Sequence, residues 1–269
     1  MWSLRHHRKG LYQIMDGQLA ERGELIRHSL WHPRKLNWWI GTLFACGSLL
    51  FVVGGILSLA PVLAASFLPG SNTVNAIFFA GSIPFTSAAF LQLYQSANAP
   101  ELVPGGSVQR GRKLWFGWQP GNIGWLSSAL QFLGTLLFNV NTFDAMLTNL
   151  DWLQQDLVVW VPDMAGSALF LASAYLAFIE YNQTYWAWQP HKLSWQITFL
   201  NLLGSVAFII AAVLAFVPST GPTATAVTLS ILFTVLGAAA FLAASLLLWP
   251  EAAQASENLA ITTESMTEP

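Results

Sequence analysis

Asp163 lies in the run Trp160-Val161-Pro162-Asp163-Met164-Ala165-Gly166, within an otherwise apolar stretch. A carboxylate surrounded by hydrocarbon is costly unless it is paired, hydrated or protonated, and such residues mark pathways for ions, protons or substrates. No Lys or Arg occurs between Lys113 and Lys192. The partners left to Asp163 are side-chain amides, backbone groups freed by Pro162, a bound cation, or its own proton. Gln131, Asn139, Asn141 and Asp144 sit on the preceding apolar segment. At the helical rise, Asn139 and Asp163 reach a common level, roughly 21–26 Å from the boundary both segments share. Asp163, Asn139, Asn141, Asp144 and Gln131 thus form a candidate ion or proton site. The competing expectation is a local Pro162–Asp163 kink and cap at a wet boundary, satisfied by neighbouring amides.

Other chemistries find little support. The five histidines (His6, His7, His28, His32, His191) all fall outside the apolar runs, which excludes a bis-histidine haem within the helices, and no metal site is expected. There is no P-loop, Rossmann fingerprint, Gly-x-Ser-x-Gly elbow or His-Glu-x-x-His. No cofactor and no nucleic-acid partner are expected, and an enzyme acting on lipid is disfavoured for lack of a catalytic pair.

The elements that must position Asp163 follow from composition. Of 269 residues, 54% are apolar and 9% charged, against about 25% charged in a soluble domain. Six apolar segments, near 38–60, 73–94, 123–143, 157–180, 193–217 and 224–249, are long enough to cross about 30 Å of hydrocarbon. Every Lys and Arg lies before the first segment (Arg5, Arg8, Lys9, Arg22, Arg27, Arg34, Lys35), between the second and third (Arg110, Arg112, Lys113), or between the fourth and fifth (Lys192). The opposite loops hold only Asp144, Asp151 and Asp156 as charges. The positive-inside bias places both termini in the cytoplasm. Arg110, Arg112 and Lys113 suit anionic lipid headgroups.

A repeat organises the six segments. Trp31-His32-Pro33, Trp118-Gln119-Pro120 and Trp188-Gln189-Pro190 are each followed at fixed spacing by a second Trp (Trp38, Trp125, Trp195). Gly47-Ser48, Gly134-Thr135 and Gly204-Ser205 come next, then Phe51, Phe138 and Phe208. The even-numbered segments carry Gly81-Ser82 with Phe85, Gly166-Ser167 with Phe170, and Gly237-Ala238 with Phe241. Ten residues after each of these Phe comes Gln95, Glu180 or Glu251. The unit is a two-helix hairpin used three times in one orientation, which implies a pseudo-threefold axis along the membrane normal. The units are 36–98, 115–182 and 185–251. Before them lies a basic segment, 1–35, with the makings of an interfacial helix; after them comes an acidic tail, 252–269, expected to be disordered. The loop 95–113 reads as irregular.

Each repeated residue has a packing role. Trp31, Trp38, Trp118, Trp125, Trp188 and Trp195 fit an interfacial belt. Pro33, Pro120 and Pro190 suit the first helical turn. Gly47, Gly81, Gly134, Gly166, Gly204 and Gly237 allow close backbone approach, with the adjacent hydroxyls able to bond across helices. Glu180 and Glu251 end even helices near the cytoplasmic surface, where Trp N–H groups are available partners. Symmetry breaks three residues before the Gly: Phe44, Gln131 and Asn201 on odd segments, Phe78, Asp163 and Thr234 on even ones.

The run from Trp160 through Asp163 and Gly166-Ser167 to Phe170, with Tyr175 and Glu180 beyond, resembles uncharacterised multi-pass membrane proteins of bacteria and fungi. Trp118-Gln119-Pro120 through Gly134-Thr135 to Phe138-Asn139 does so as well, and the Gly-Ser-x-x-Phe hairpin resembles the YrhK-like two-helix domain. The resemblance implies a membrane domain and transfers no catalytic role. The sequence thus points to an all-α, multi-pass integral membrane protein that translocates a small solute, ion or proton. The alternative is a non-transporting scaffold or sensor that binds partners or anionic lipid through its cytoplasmic segments.

Overall fold

A computed structural model of the chain describes residues 35–67, 72–99, 101–102, 108–109 and 113–267, with 63, 101–102, 108–109 and 253–267 as backbone alone. Trp31, Pro33, Arg110, Arg112 and the expected interfacial helix before Lys35 lie outside the described residues.

Six long helices dominate: α1 (Leu36–Leu59), α2 (Thr73–Ala97), α3 (Ile123–Asp144), α4 (Val161–Asn182), α5 (Leu193–Leu214) and α6 (Ala224–Thr267). All six are long and apolar enough to cross a membrane, which makes this an integral, multi-pass membrane protein. Large apolar side chains are exposed along them, among them Leu49, Ile83, Leu133, Val213 and Leu236, as lipid-facing surfaces require.

Local chemistry sets the boundaries. Asn122 caps α3, its side chain accepting from the N–H groups of Gly124 (3.0 Å) and Trp125 (3.2 Å). Asp151 and Gln154 form a capping box that starts a four-residue helix, Trp152–Gln155, followed by a π-helical turn, Asp156–Trp160, leading into α4. The fourth span therefore begins five residues earlier than hydropathy predicts. Gln183 closes α4 in the left-handed region (φ 55°), its N–H donating to the Ile179 carbonyl at 2.8 Å. A further short helix, Pro61–Phe67, follows α1.

Three local expectations change. Pro120 and Pro190 occupy the second position of four-residue turns, closed by Asn122 N–H to Gln119 O (2.9 Å) and Lys192 N–H to Gln189 O (3.0 Å), rather than the first helical turn; the fixed proline φ suits both positions. The loop read as irregular carries one short antiparallel pairing, Glu101–Leu102 with Val108–Gln109. The backbone after residue 252 stays helical to Thr267, where composition predicts disorder.

Each long helix packs on its predecessor and its successor, and α6 packs back on α1. The six thus form a closed ring. Inside each hairpin the backbones touch at glycine. A Cβ on Gly47 would lie 2.8 Å from the Gly81 carbonyl oxygen, one on Gly134 3.2 Å from that of Gly166, and one on Gly204 3.1 Å from that of Gly237. The hydroxyls beside these glycines bond mainly within their own helices: Ser82 to Phe79 O (2.8 Å), Thr135 to Phe132 O (2.6 Å) and Ser205 to Asn201 O (2.9 Å). With the backbones this close, the nearest acceptor is the carbonyl one turn back.

Candidate functional site

The ring interior is occupied by six phenylalanines, one from each long helix. Phe85, Phe170 and Phe241 form a near-equilateral triangle with centroid separations of 5.9, 5.8 and 6.0 Å. Phe51, Phe138 and Phe208 pack on it, with Phe138–Phe170 at 5.0 Å and Phe208–Phe241 at 5.5 Å. Half of the contacts among these rings are edge to face, as their quadrupoles favour, and the rest are tilted. They leave a central void of about 20 Å³, also lined by Ser48, Ser82 and Thr135; that is room for one water. The Ser82 and Thr135 hydroxyls donate within their own helices, Ser82 Oγ also accepts from Thr142 Oγ1 at 3.3 Å, and Ser48 Oγ is buried with no hydrogen-bond partner.

Polar cavities lie on either side of this aromatic plug. Towards the ends that carry Trp38, Trp125 and Trp195, a cavity of about 40 Å³ is lined by Asn37, Gln92, Gln95, Gln131, Asn201 and Ser245, with Phe44, Phe85 and Phe241 at its floor. Gln95 Nε2 donates to Asn37 Oδ1 at 2.5 Å, and Gln92 Oε1 is buried without a partner. Towards the opposite ends a larger cavity, about 140 Å³, is lined by residues of all six helices: Asn75, Asn141, Thr142, Asp163 and Thr234, with Phe51, Phe78, Phe138 and Phe208.

The five residues expected to form one cluster are divided among these places. Asp163 and Asn141 meet in the larger cavity. Gln131 lies on the far side of the plug, in the smaller cavity. Asn139 accepts from Thr86 Oγ1 at 3.1 Å between α2 and α3, and Asp144 ends α3 away from either cavity lining. Equal depth does not bring Asn139 to Asp163, because two residues along a helix turn the side chain by about 200° and only Asn141 faces inward. The cavity adds Asn75, Thr142 and Thr234. The signal for Thr234 was present in sequence, since it holds the same repeat position as Asp163. Asn75 and Thr142 break the periodicity and carry no such mark.

A π turn ends three residues before Asp163. Asn141 Nδ2 donates to the Val159 carbonyl at 2.9 Å, tying α3 to the π turn. Asp156, at the start of the turn, is buried and accepts from the Val217 N–H at 3.1 Å. Trp160 Nε1 donates to Ala212 O at 2.8 Å, so the turn is clipped to the end of α5 on two sides. The Asp163 side chain takes part in no hydrogen bond among the described residues.

The tryptophan pairs divide by role. Trp118 and Trp188 are exposed, whereas Trp38, Trp125 and Trp195 are buried. Trp125 Nε1 donates to Phe116 O at 2.8 Å and Trp195 Nε1 to Ala187 O at 2.9 Å. In the second and third pairs the second Trp thus anchors the preceding loop, and its N–H faces neither water nor a glutamate. Glu180 and Glu251 are both 2% exposed, buried rather than reaching the surface, and Glu251 accepts from Ser194 Oγ at 2.5 Å. Of the basic cluster only Lys113 falls among the described residues, and it is exposed.

A closed ring of six apolar helices with polar cavities on both sides of an aromatic plug defines a multi-pass integral membrane protein with a polar interior. No family model, curated protein or solved structure matches the chain.

Proposed function

We propose that the protein translocates a small ion, proton or solute along the axis of the ring, through the phenylalanine plug. One observation carries this reading: two polar-lined cavities lie on opposite sides of a constriction built by all six helices. Hydrophobic constrictions between wet vestibules gate by excluding water until they widen. A bundle that served only as an anchor would gain more by filling the interior with apolar side chains, since buried polar groups cost stability unless fully satisfied.

The three hairpins act as like-oriented repeats about this axis. Support comes from the recurring Gly–Gly contact in each hairpin and the near-equal sides of the Phe85–Phe170–Phe241 triangle. The charge distribution favours cytoplasmic termini, so the larger cavity faces outward and the smaller one inward. The scaffold reading is favoured by a single feature, the narrowness of the central void. The two separate on one experiment: flux of small ions and protons into sealed proteoliposomes, measured for the natural chain and for a Phe85→Ala, Phe170→Ala, Phe241→Ala variant. The translocation reading expects raised flux in the variant. Vesicles that stay equally tight with both proteins refute it.

A further inference from the structure

Resting on that reading, we infer that the larger cavity binds one monovalent alkali cation, with Asp163 supplying the countercharge. The polar groups there have a shared asymmetry. Asn75 Nδ2 donates to Ala145 O at 2.7 Å and Asn141 Nδ2 to Val159 O at 2.9 Å. Thr142 Oγ1 donates to Phe138 O at 2.7 Å, and Thr234 Oγ1 to Ser230 O at 3.0 Å. Each side chain is thus pinned by its donor to a backbone carbonyl. Besides the second N–H of each amide, what remains unengaged is oxygen: two amide oxygens, two hydroxyl lone-pair sets and the Asp163 carboxylate.

An oxygen-rich set of this kind selects hard cations over soft metals, and the Asp163 carboxylate, with no basic residue lining the cavity, repels an anion. Charge decides between valences. A single carboxylate with no basic residue lining the cavity neutralises a monovalent ion, whereas a divalent ion would leave a net positive charge in a low-dielectric interior, which is strongly disfavoured. Size decides the hydration state. At about 140 Å³ the cavity exceeds one stripped ion, so the cation keeps part of its water shell, and discrimination among Na⁺, K⁺ and Rb⁺ is weak.

The oxygens come from well-separated parts of the chain, with Asn75 on α2, Asn141 and Thr142 on α3, Asp163 on α4 and Thr234 on α6. The ion is therefore a cross-brace between hairpins at the mouth of the plug.

The test uses the full chain in detergent, with ²³Na NMR line broadening titrated against K⁺, Rb⁺ and Ca²⁺, alongside ²²Na⁺ and ⁸⁶Rb⁺ flux in proteoliposomes. The natural chain is expected to broaden the sodium line, with K⁺ and Rb⁺ displacing sodium at concentrations within about ten-fold of one another. Asp163→Asn is expected to abolish the broadening. Thr234→Val, nearly isosteric and lacking one oxygen, is expected to weaken it about five-fold, as for one polar contact. Thr234→Val also keeps the test decisive if Asp163→Asn does not fold. Sodium binding unchanged in Asp163→Asn, no binding by the natural chain, or preference for Ca²⁺ each overturns the cation site. Binding that depends on Asp163 without flux in any protein supports the site and refutes translocation. Flux without Asp163-dependent binding does the reverse.

Discussion

Replacing Gly47 with alanine sets a methyl group against a backbone that has nowhere to go. The new Cβ would lie 2.8 Å from Gly81 O and 3.0 Å from Phe85 Cδ2. Ordinary contact begins near 3.4 Å, so α1 and α2 must part by about 0.6 Å. At Gly134 the same substitution meets Gly166 O at 3.2 Å and needs only about 0.2 Å. A gap of 0.5–1 Å forfeits roughly a quarter to a half of each dispersion contact it crosses, and overpacking of this kind costs about 1–3 kcal/mol. At about 2–4 °C per kcal/mol for a chain of this size, Gly47→Ala is expected to lower Tm in detergent by about 5 °C, and Gly134→Ala by clearly less. Gly121, where an added methyl would meet nothing within 4 Å, gives the control. A Gly47→Ala melting point equal to that of Gly121→Ala would refute the claim that the hairpin closes on backbone contact.

Other outcomes follow from single contacts. Ser48→Ala removes a buried hydroxyl with no partner and is expected to raise stability by up to about 1 kcal/mol; a loss of stability on thermal melting would mean that the hydroxyl holds a partner in the working protein. Trp195→Phe deletes the bond to Ala187 O while keeping most of the ring, so a loss of about 1 kcal/mol is expected, with faster protease cleavage in the 183–192 loop as the readout. Asn141→Leu deletes the bond to the Val159 carbonyl inside an apolar span and is expected to cost about 1 kcal/mol. Hydrogen exchange of the α4 entry turn checks it, since unchanged protection there would exclude the proposed support.

Much of the fold is legible because hydrophobic length and glycine spacing are one-dimensional signals. The first five helices begin and end within a few residues of their sequence bounds, except where the Asp151 capping box lengthens the fourth span; the sixth runs on past its apolar stretch to Thr267. The positions three residues before glycine prove more informative than the cluster built around depth. Phe44, Gln131 and Asn201 all line the smaller cavity, and Phe78, Asp163 and Thr234 all line the larger. Depth fixes the level of a side chain but not its azimuth, which is why Asn139 and Asn141, two residues apart, face different partners. Asn75 was not legible at all: it sits in the first turns of α2, and its approach to Ala145 depends on how two loops meet. The burial of Glu180 and Glu251 was equally hidden, because a terminal carboxylate reads as exposed until the neighbouring helices are in place.

The ring closes through one contact that spans almost the whole chain, α6 against α1, where Trp249 Nε1 donates to Thr42 Oγ1 at 3.2 Å across 207 residues. Every other helix meets its neighbour as soon as that neighbour is made. During synthesis, then, an open five-helix arc must wait in the bilayer with its seam exposed to lipid. Truncated or stalled chains lacking α6 would present that seam to quality-control proteases and to one another, and the last helix acts as the latch on assembly.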